Sequence, residues 1–214
     1  LFKLPDALSF EEGAILEPSC NAYKAVIQEG KLAAGEAVAV FGPGPIGLFS
    51  VQLARIAGAS MIFLFGVAGD EARLELGRRL GADVAVTVQG ADADELIESQ
   101  VGRDQVDLVI DAAGADGVLD QAIKLLRPEG RIVKVAWGKK PRPLDLDPLM
   151  SKGASIIGHF GYDHVSWRNV LRLAAQKRIQ YRPLITGTYD LTEWKEAFSA
   201  VEERKAIKAV FNRF

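Results

Sequence analysis

Six short runs of apolar and β-branched residues alternate along the chain with longer stretches of helical period. The runs are "AVAVF" at 37–41, "MIFLF" at 61–65, "VAVTV" at 84–88, "VDLVI" at 106–110, "RIVKVAW" at 131–137 and "ASIIG" at 154–158. Between them, segments 46–57, 70–80, 92–101 and 118–126 carry apolar residues three and four apart, with "GA", "GA" and "PEG" as stop signals. Parallel strands need long crossovers, and crossover helices cover both faces of a sheet, so such strands read as continuous apolar runs. The alternation therefore predicts an α/β fold built on a doubly wound, parallel, six-stranded sheet in the order 3-2-1-4-5-6.

The first connection is the most telling. "FGPGPIG" at 41–47 places Gly42, Gly44 and Gly47 as G-x-G-x-x-G directly after the first strand and at the opening of a helix, with Pro45 and Ile46 beginning that helix. In isolation the spacing is weak, because turns rich in Gly and Pro are common. In this place the helix presents free N–H groups and its positive dipole end to a pyrophosphate. Gly42 then serves the tight turn, Gly44 the approach of the cofactor and Gly47 the packing of helix on strand, as in the Rossmann arrangement.

An acid that binds the ribose hydroxyls is expected near the end of the second strand, about 20 residues after the last glycine. That place falls at Gly66. The nearest acid, Asp70, reads first as an N-cap or first-turn acid of the next helix. A glycine there removes a repulsion against a 2′-phosphate, so NAD and NADP both stay open, with Arg73 or Arg78 as counter-charges. Ligands of open α/β sheets bind outside the carboxyl ends of the strands. Ala112 after the fourth strand, Ala136 and Trp137 after the fifth, and His159 and Phe160 after the sixth are the expected further contacts at that edge.

A net charge of -2 over 214 residues offers no basic field, which argues against nucleic acid and acidic membrane surfaces as partners. No apolar run approaches the ~20 residues that span a bilayer. Cys20 is the single cysteine, which excludes an internal disulfide and a Cys-Cys zinc motif within these residues and fits a cytoplasmic setting. It reads as inert packing, and His159 with His164, five apart, as a poor metal signal. Glu17, ahead of Pro18, reads as a capping or dipole feature at a helix start. Residues 161–214 hold two more helical patterns and the run "AIKAVFNRF", whose clean alternation predicts a half-exposed or antiparallel sheet. The chain opens on Leu1 with "LFKLPDALSFEEGA", a segment already under way, and is expected to be a fragment lacking an N-terminal portion.

These motifs together resemble the C-terminal two-thirds of the medium-chain, zinc-dependent alcohol and polyol dehydrogenases, the group of sorbitol and threonine dehydrogenases. The resemblance rests, in order, on "ILEPSCNAYKAV", "FGPGPIGLFSVQLARIAGA", "RLELGRRLGADVAV", "VDLVIDAAGA", "LLRPEGRIVKVAWG", "GHFGY", "PLITGTYDLTEWKEAF" and "KAIKAVFNRF". It implies that residues 1–20 are the tail of a mostly missing GroES-like catalytic domain, 21–160 the Rossmann domain, and 161–214 a return segment toward the catalytic domain. It also implies NAD or NADP as cofactor, zinc held mostly by the missing part with Glu17 as a further acidic or water-mediated ligand, and Asn21 as a small polar contact to the nicotinamide. The implied reaction is zinc-assisted hydride transfer between an alcohol or polyol and the nicotinamide, with the fragment inactive alone. Pairing of Rossmann sheets through "ASIIG" would give a homo-oligomer. The alternatives are a zinc-free quinone or enoyl reductase, against which "ILEP" argues, and a nucleotide-binding module without chemistry.

Overall fold

A computed structural model of the chain describes residues 1–88, 92–102, 105–138 and 143–213. Two helices open it, α1 (Phe10–Ala14) and α2 (Leu16–Tyr23), the second running on as a π-helical stretch to Glu29. The sheet and its crossovers follow as β1 (Ala37–Phe41), α3 (Pro45–Ala57), β2 (Met61–Gly66), α4 (Glu71–Arg79), β3 (Val84–Thr87), α5 (Asp92–Val101), β4 (Val106–Asp111), α6 (Val118–Leu125), β5 (Leu126–Lys134), α7 (Asp147–Ser151) and β6 (Ser155–Gly158). The strands are ordered β3-β2-β1-β4-β5-β6, with every pairing parallel, as the sequence predicts.

Strand β1 is central, and all five of its residues are buried. Its side chains alternate between two cores: Val38 and Val40 join Leu48 and Phe49 of α3 on one face, while Ala39 and Phe41 join Phe63, Phe65 and Ile97 on the other. A continuous apolar strand is the direct consequence of helices on both faces.

The boundaries of β5 differ from the expected 131–137. The strand begins at Leu126, immediately after α6, and ends at Lys134. Val106 pairs with Leu126 but Leu108 pairs with Arg131, so "RPEG" is extra chain bulging within the strand, with Glu129 at φ 61. Pro128 and Gly130 therefore mark an irregularity inside the strand, not a turn before it. Helix α7 has five residues, too few to show a helical period.

Beyond the sheet lie α8 (His164–Ala175), β7 (Ile185–Asp190), α9 (Trp194–Glu202) and β8 (Lys208–Arg213). β7 and β8 form a separate two-stranded sheet that is parallel, so of the two expectations for this run the half-exposed strand is the one found. Val210 is buried and Phe211 half-buried, while Phe214 lies outside the described residues. The C-terminal segment is fastened to the six-stranded sheet and its helices by polar contacts. Gln52 of α3 donates to the Gln180 carbonyl at 3.1 Å and accepts from the Gln180 N–H at 2.8 Å. Tyr181, 1% exposed, packs on Phe49 and shares a 3.1 Å hydrogen bond with Ser19. Tyr181→Phe is expected to cost about 1 kcal/mol in urea denaturation, since the ring stays packed and Ser19 keeps its bond to the Leu16 carbonyl. Among the described residues, no helix is long and apolar enough to cross a membrane.

Candidate functional site

The turn after β1 is shaped by what its glycines lack. Gly42 has φ +97 and donates its N–H to the Phe65 carbonyl at 2.8 Å; a Cβ there would meet Ala112 and Ala113 backbone at 3.0 Å. A Cβ on Gly47 would stand 1.9 Å from the Gly42 carbonyl oxygen, so helix and strand end approach each other only through a bare Cα. Gly44, the N-cap of α3, is different: nothing lies within 4 Å of its missing side chain, and with no side chain it cannot cap the helix. The opening turn of a 13-residue helix is thus left without a side-chain cap above open space, the condition for anion binding.

That space is part of a cleft of about 740 Å³ along the carboxyl ends of β1, β2 and β4. Gly42, Pro43 and Gly44 line it, with Gly66, Arg73 and Ala112, and Arg204 reaches it from the loop between α9 and β8. Pro45, Ile46 and Gly47 do not line it; their part is to start the helix and pack it on the strand. A dinucleotide fits this cleft on two observations: the vacant volume over Gly44 and the Nε of Arg73, which is buried without a hydrogen-bond partner. An orphaned buried donor costs stability unless something else accepts from it. Burial pushes the Arg73 guanidinium below its ordinary range, while the charge of Asp70 pulls the other way.

Of the two arginines proposed as counter-charges, only Arg73 faces the cleft. Arg78 donates to Glu75 at 2.9 Å and to the Ala85 carbonyl, and takes no part in the lining. Asp70 holds the N-cap position of α4 but makes no side-chain cap bond. Arg204, in the left-handed region at φ 60, was not singled out from sequence; nothing local marks a residue 131 positions after Arg73 as its neighbour.

The remaining expected contacts gather elsewhere on the same edge. Lys134 at the end of β5 bonds Asp111 at 3.0 Å and the Ala136 carbonyl at 2.9 Å, fixing the loop that carries Trp137. Trp137 and Phe160 are exposed, 82% and 79%. His159 lies between two acceptors: Glu29 at 2.7 Å from Nδ1 and Asn21 Oδ1 at 3.2 Å from Nε2. The Asn21 amide in turn donates to the Glu17 carboxylate at 2.6 Å. Glu17, Asn21, His159 and Glu29 thus form one chain of polar contacts, closed by Lys24, which meets Glu29 at 3.6 Å and the Phe160 carbonyl at 3.1 Å. Nothing local in the sequence ties Glu29 and Lys24 to this edge, because His159 and Phe160, which they meet there, lie 130 and 136 residues away.

Glu17 sits inside the first turn of α2, not ahead of the helix, and is exposed. His164 opens α8 with its ring 4.8 Å from that of Phe2, apart from the contacts of His159. Among the described residues, no group of three or more His, Cys, Asp or Glu side chains is placed to hold a metal ion. Glu17 by itself does not make a zinc site, so a zinc ion there would need ligands from outside these residues. Cys20 is fully buried, and burial with the nearby Glu17 charge pushes its thiol up to about 12. At pH 8 iodoacetamide is expected to leave Cys20 unmodified in the folded chain and to label it after denaturation, as mass spectrometry would read.

The sheet order, the glycine turn and the cleft at the strand ends define a doubly wound cofactor-binding domain of the Rossmann type. A family model described as "Zinc-binding dehydrogenase" matches residues 45–176, and the chain belongs to that family. It is 41% identical over 98% of its length to an uncharacterised zinc-type alcohol dehydrogenase-like protein of Escherichia coli K12. It is 34% identical over 97% to the D-arabitol-phosphate dehydrogenase of Enterococcus avium. The solved 2R,3R-butanediol dehydrogenase of Bacillus subtilis superposes with a TM-score of 0.88 at 32% identity, over 99% of this chain and 60% of that one. The chain spans 59% of the length of each of the two curated relatives.

Proposed function

We propose that this chain binds NAD or NADP as the cofactor-holding part of an alcohol or polyol dehydrogenase. The observation that carries the reading is the uncapped start of α3 at Gly44, opening into a cleft whose buried Arg73 Nε has no partner. Bound there, the nicotinamide supplies a hydride donor or acceptor. The chain's own residues position it. Gly44 and the first turn of α3 hold the pyrophosphate by backbone N–H groups and the helix dipole. Gly42 and Gly47 bring that turn onto the strand end. Ala112 keeps the edge of β4 low beside the cleft. Asn21, held by Glu17 and His159, and the strand-end residues Ala136, Trp137 and Phe160 are the contacts we assign to the nicotinamide half. Two of the relatives are named for small hydroxylated molecules, D-arabitol phosphate and 2R,3R-butanediol, which supports an alcohol or polyol as substrate.

Titration of the chain with NADH and NADPH, followed by fluorescence and by calorimetry, tests the reading. Saturable one-to-one binding of at least one is expected. Absence of binding for both at millimolar concentration would remove it.

A further inference from the structure

On the reading that the cleft holds a dinucleotide, we infer that Asp70 replaces the missing strand-end acid and makes this chain select NAD over NADP. An aspartate at an N-cap ordinarily turns its carboxylate onto the second or third N–H of its own helix. Asp70 does not. Its side chain folds back over the end of β2, where Oδ2 accepts the Val67 N–H at 3.1 Å. A Cβ built on Gly66 would meet Asp70 Cβ at 3.0 Å and Oδ2 at 3.2 Å. The carboxylate thus stands in the volume that a side chain at position 66 would fill. Gly66 and Asp70 are one device, in which the first leaves the space and the second puts an acid into it.

The placement suits a ribose. Asp70 lines the cleft beside the phosphate turn, and Pro43 Cγ lies 3.2 Å from the same built Cβ. Oδ1 faces Arg204 Nη1 at 3.6 Å, beyond hydrogen-bond distance, so its lone pairs are left for hydroxyl donors. The 2′- and 3′-hydroxyls of an adenosine ribose can donate to it. A 2′-phosphate brings only acceptors and added negative charge against a carboxylate. Of the two arginines of this corner, Arg204 is matched in charge by Asp70 itself and Arg73 has Nη2 bonded to the Ala206 carbonyl at 3.0 Å, which leaves Arg73 Nε as the group that works against the preference.

The test is the ratio of NADH to NADPH affinity, measured by calorimetry at one ionic strength, for the wild type, Asp70→Asn and Asp70→Ala, with thermal melts to show that each variant is folded. The wild type is expected to favour NADH by about tenfold or more, and each variant to lower that ratio by about tenfold. The change should come mainly from tighter NADPH binding, since losing the charge also frees Arg204. A purely structural Asp70 would weaken both cofactors alike and leave the ratio in place. That result, or a wild type favouring NADPH, overturns the assignment and leaves the dinucleotide site standing. Failure of the wild type to bind either cofactor overturns both.

Discussion

Gly47→Ala is expected to cost about 3 kcal/mol or more in chemical denaturation and to destroy the cofactor turn with it. The added methyl would lie 1.9 Å from the Gly42 carbonyl oxygen, a distance no Cβ tolerates. Neither partner can retreat cheaply. Gly42 is fixed by its N–H bond to the Phe65 carbonyl and by the Ala112 and Ala113 backbone 3.0 Å away, and α3 carries Leu48, Phe49, Val51 and Leu53 into the core. Relief therefore requires the helix to lift from the sheet, which opens voids among side chains that are 0% exposed. A loss of less than about 1 kcal/mol would show that the helix start is softer than this geometry.

Gly44→Asp separates binding from folding. The position has nothing within 4 Å, so the variant is expected to melt within a few degrees of the wild type. An aspartate is also a good N-cap and would bond the N–H groups of the first turn. The same bond removes the anion site, because the carboxylate would occupy the place proposed for the pyrophosphate and repel it. NADH and NADPH binding by calorimetry should weaken by about a hundredfold or more, roughly 2.7 kcal/mol. Wild-type affinity in this variant would mean that the pyrophosphate lies elsewhere. The two substitutions, three residues apart, thus have different signatures: one lowers stability and binding together, the other binding alone.

The six strands of the larger sheet were legible because a parallel strand covered on both faces must be apolar throughout, and five buried residues in β1 show that rule at work, whereas β7 with its half-exposed "ITGTYD" was not. The start of β5 was not legible. "RPEG" has the composition of a turn, and only the pairing of Val106 with Leu126 ahead of it shows that the strand has already begun. The glycine turn could be read in sequence because its residues are adjacent. Arg73 and Arg78 could be separated in part, since five residues on a helix differ by roughly 140° in direction and cannot face one cleft. Which of them points inward follows from where Leu74, Leu76 and Gly77 are buried, a matter of tertiary packing. The chain of contacts through Glu17, Asn21, His159 and Glu29 has no local signature, as its central bond joins residues 138 positions apart.

The bond from Arg73 to the Ala206 carbonyl gives the cleft a second address. One guanidinium holds the loop before β8 with Nη2, on a side chain that also lines the cleft. Occupancy at one end and order at the other are then linked quantities, each favouring the other by the same free energy. Amide exchange in β8 should slow when cofactor is bound, so a cofactor seated at the edge of one sheet is registered as rigidity in the other.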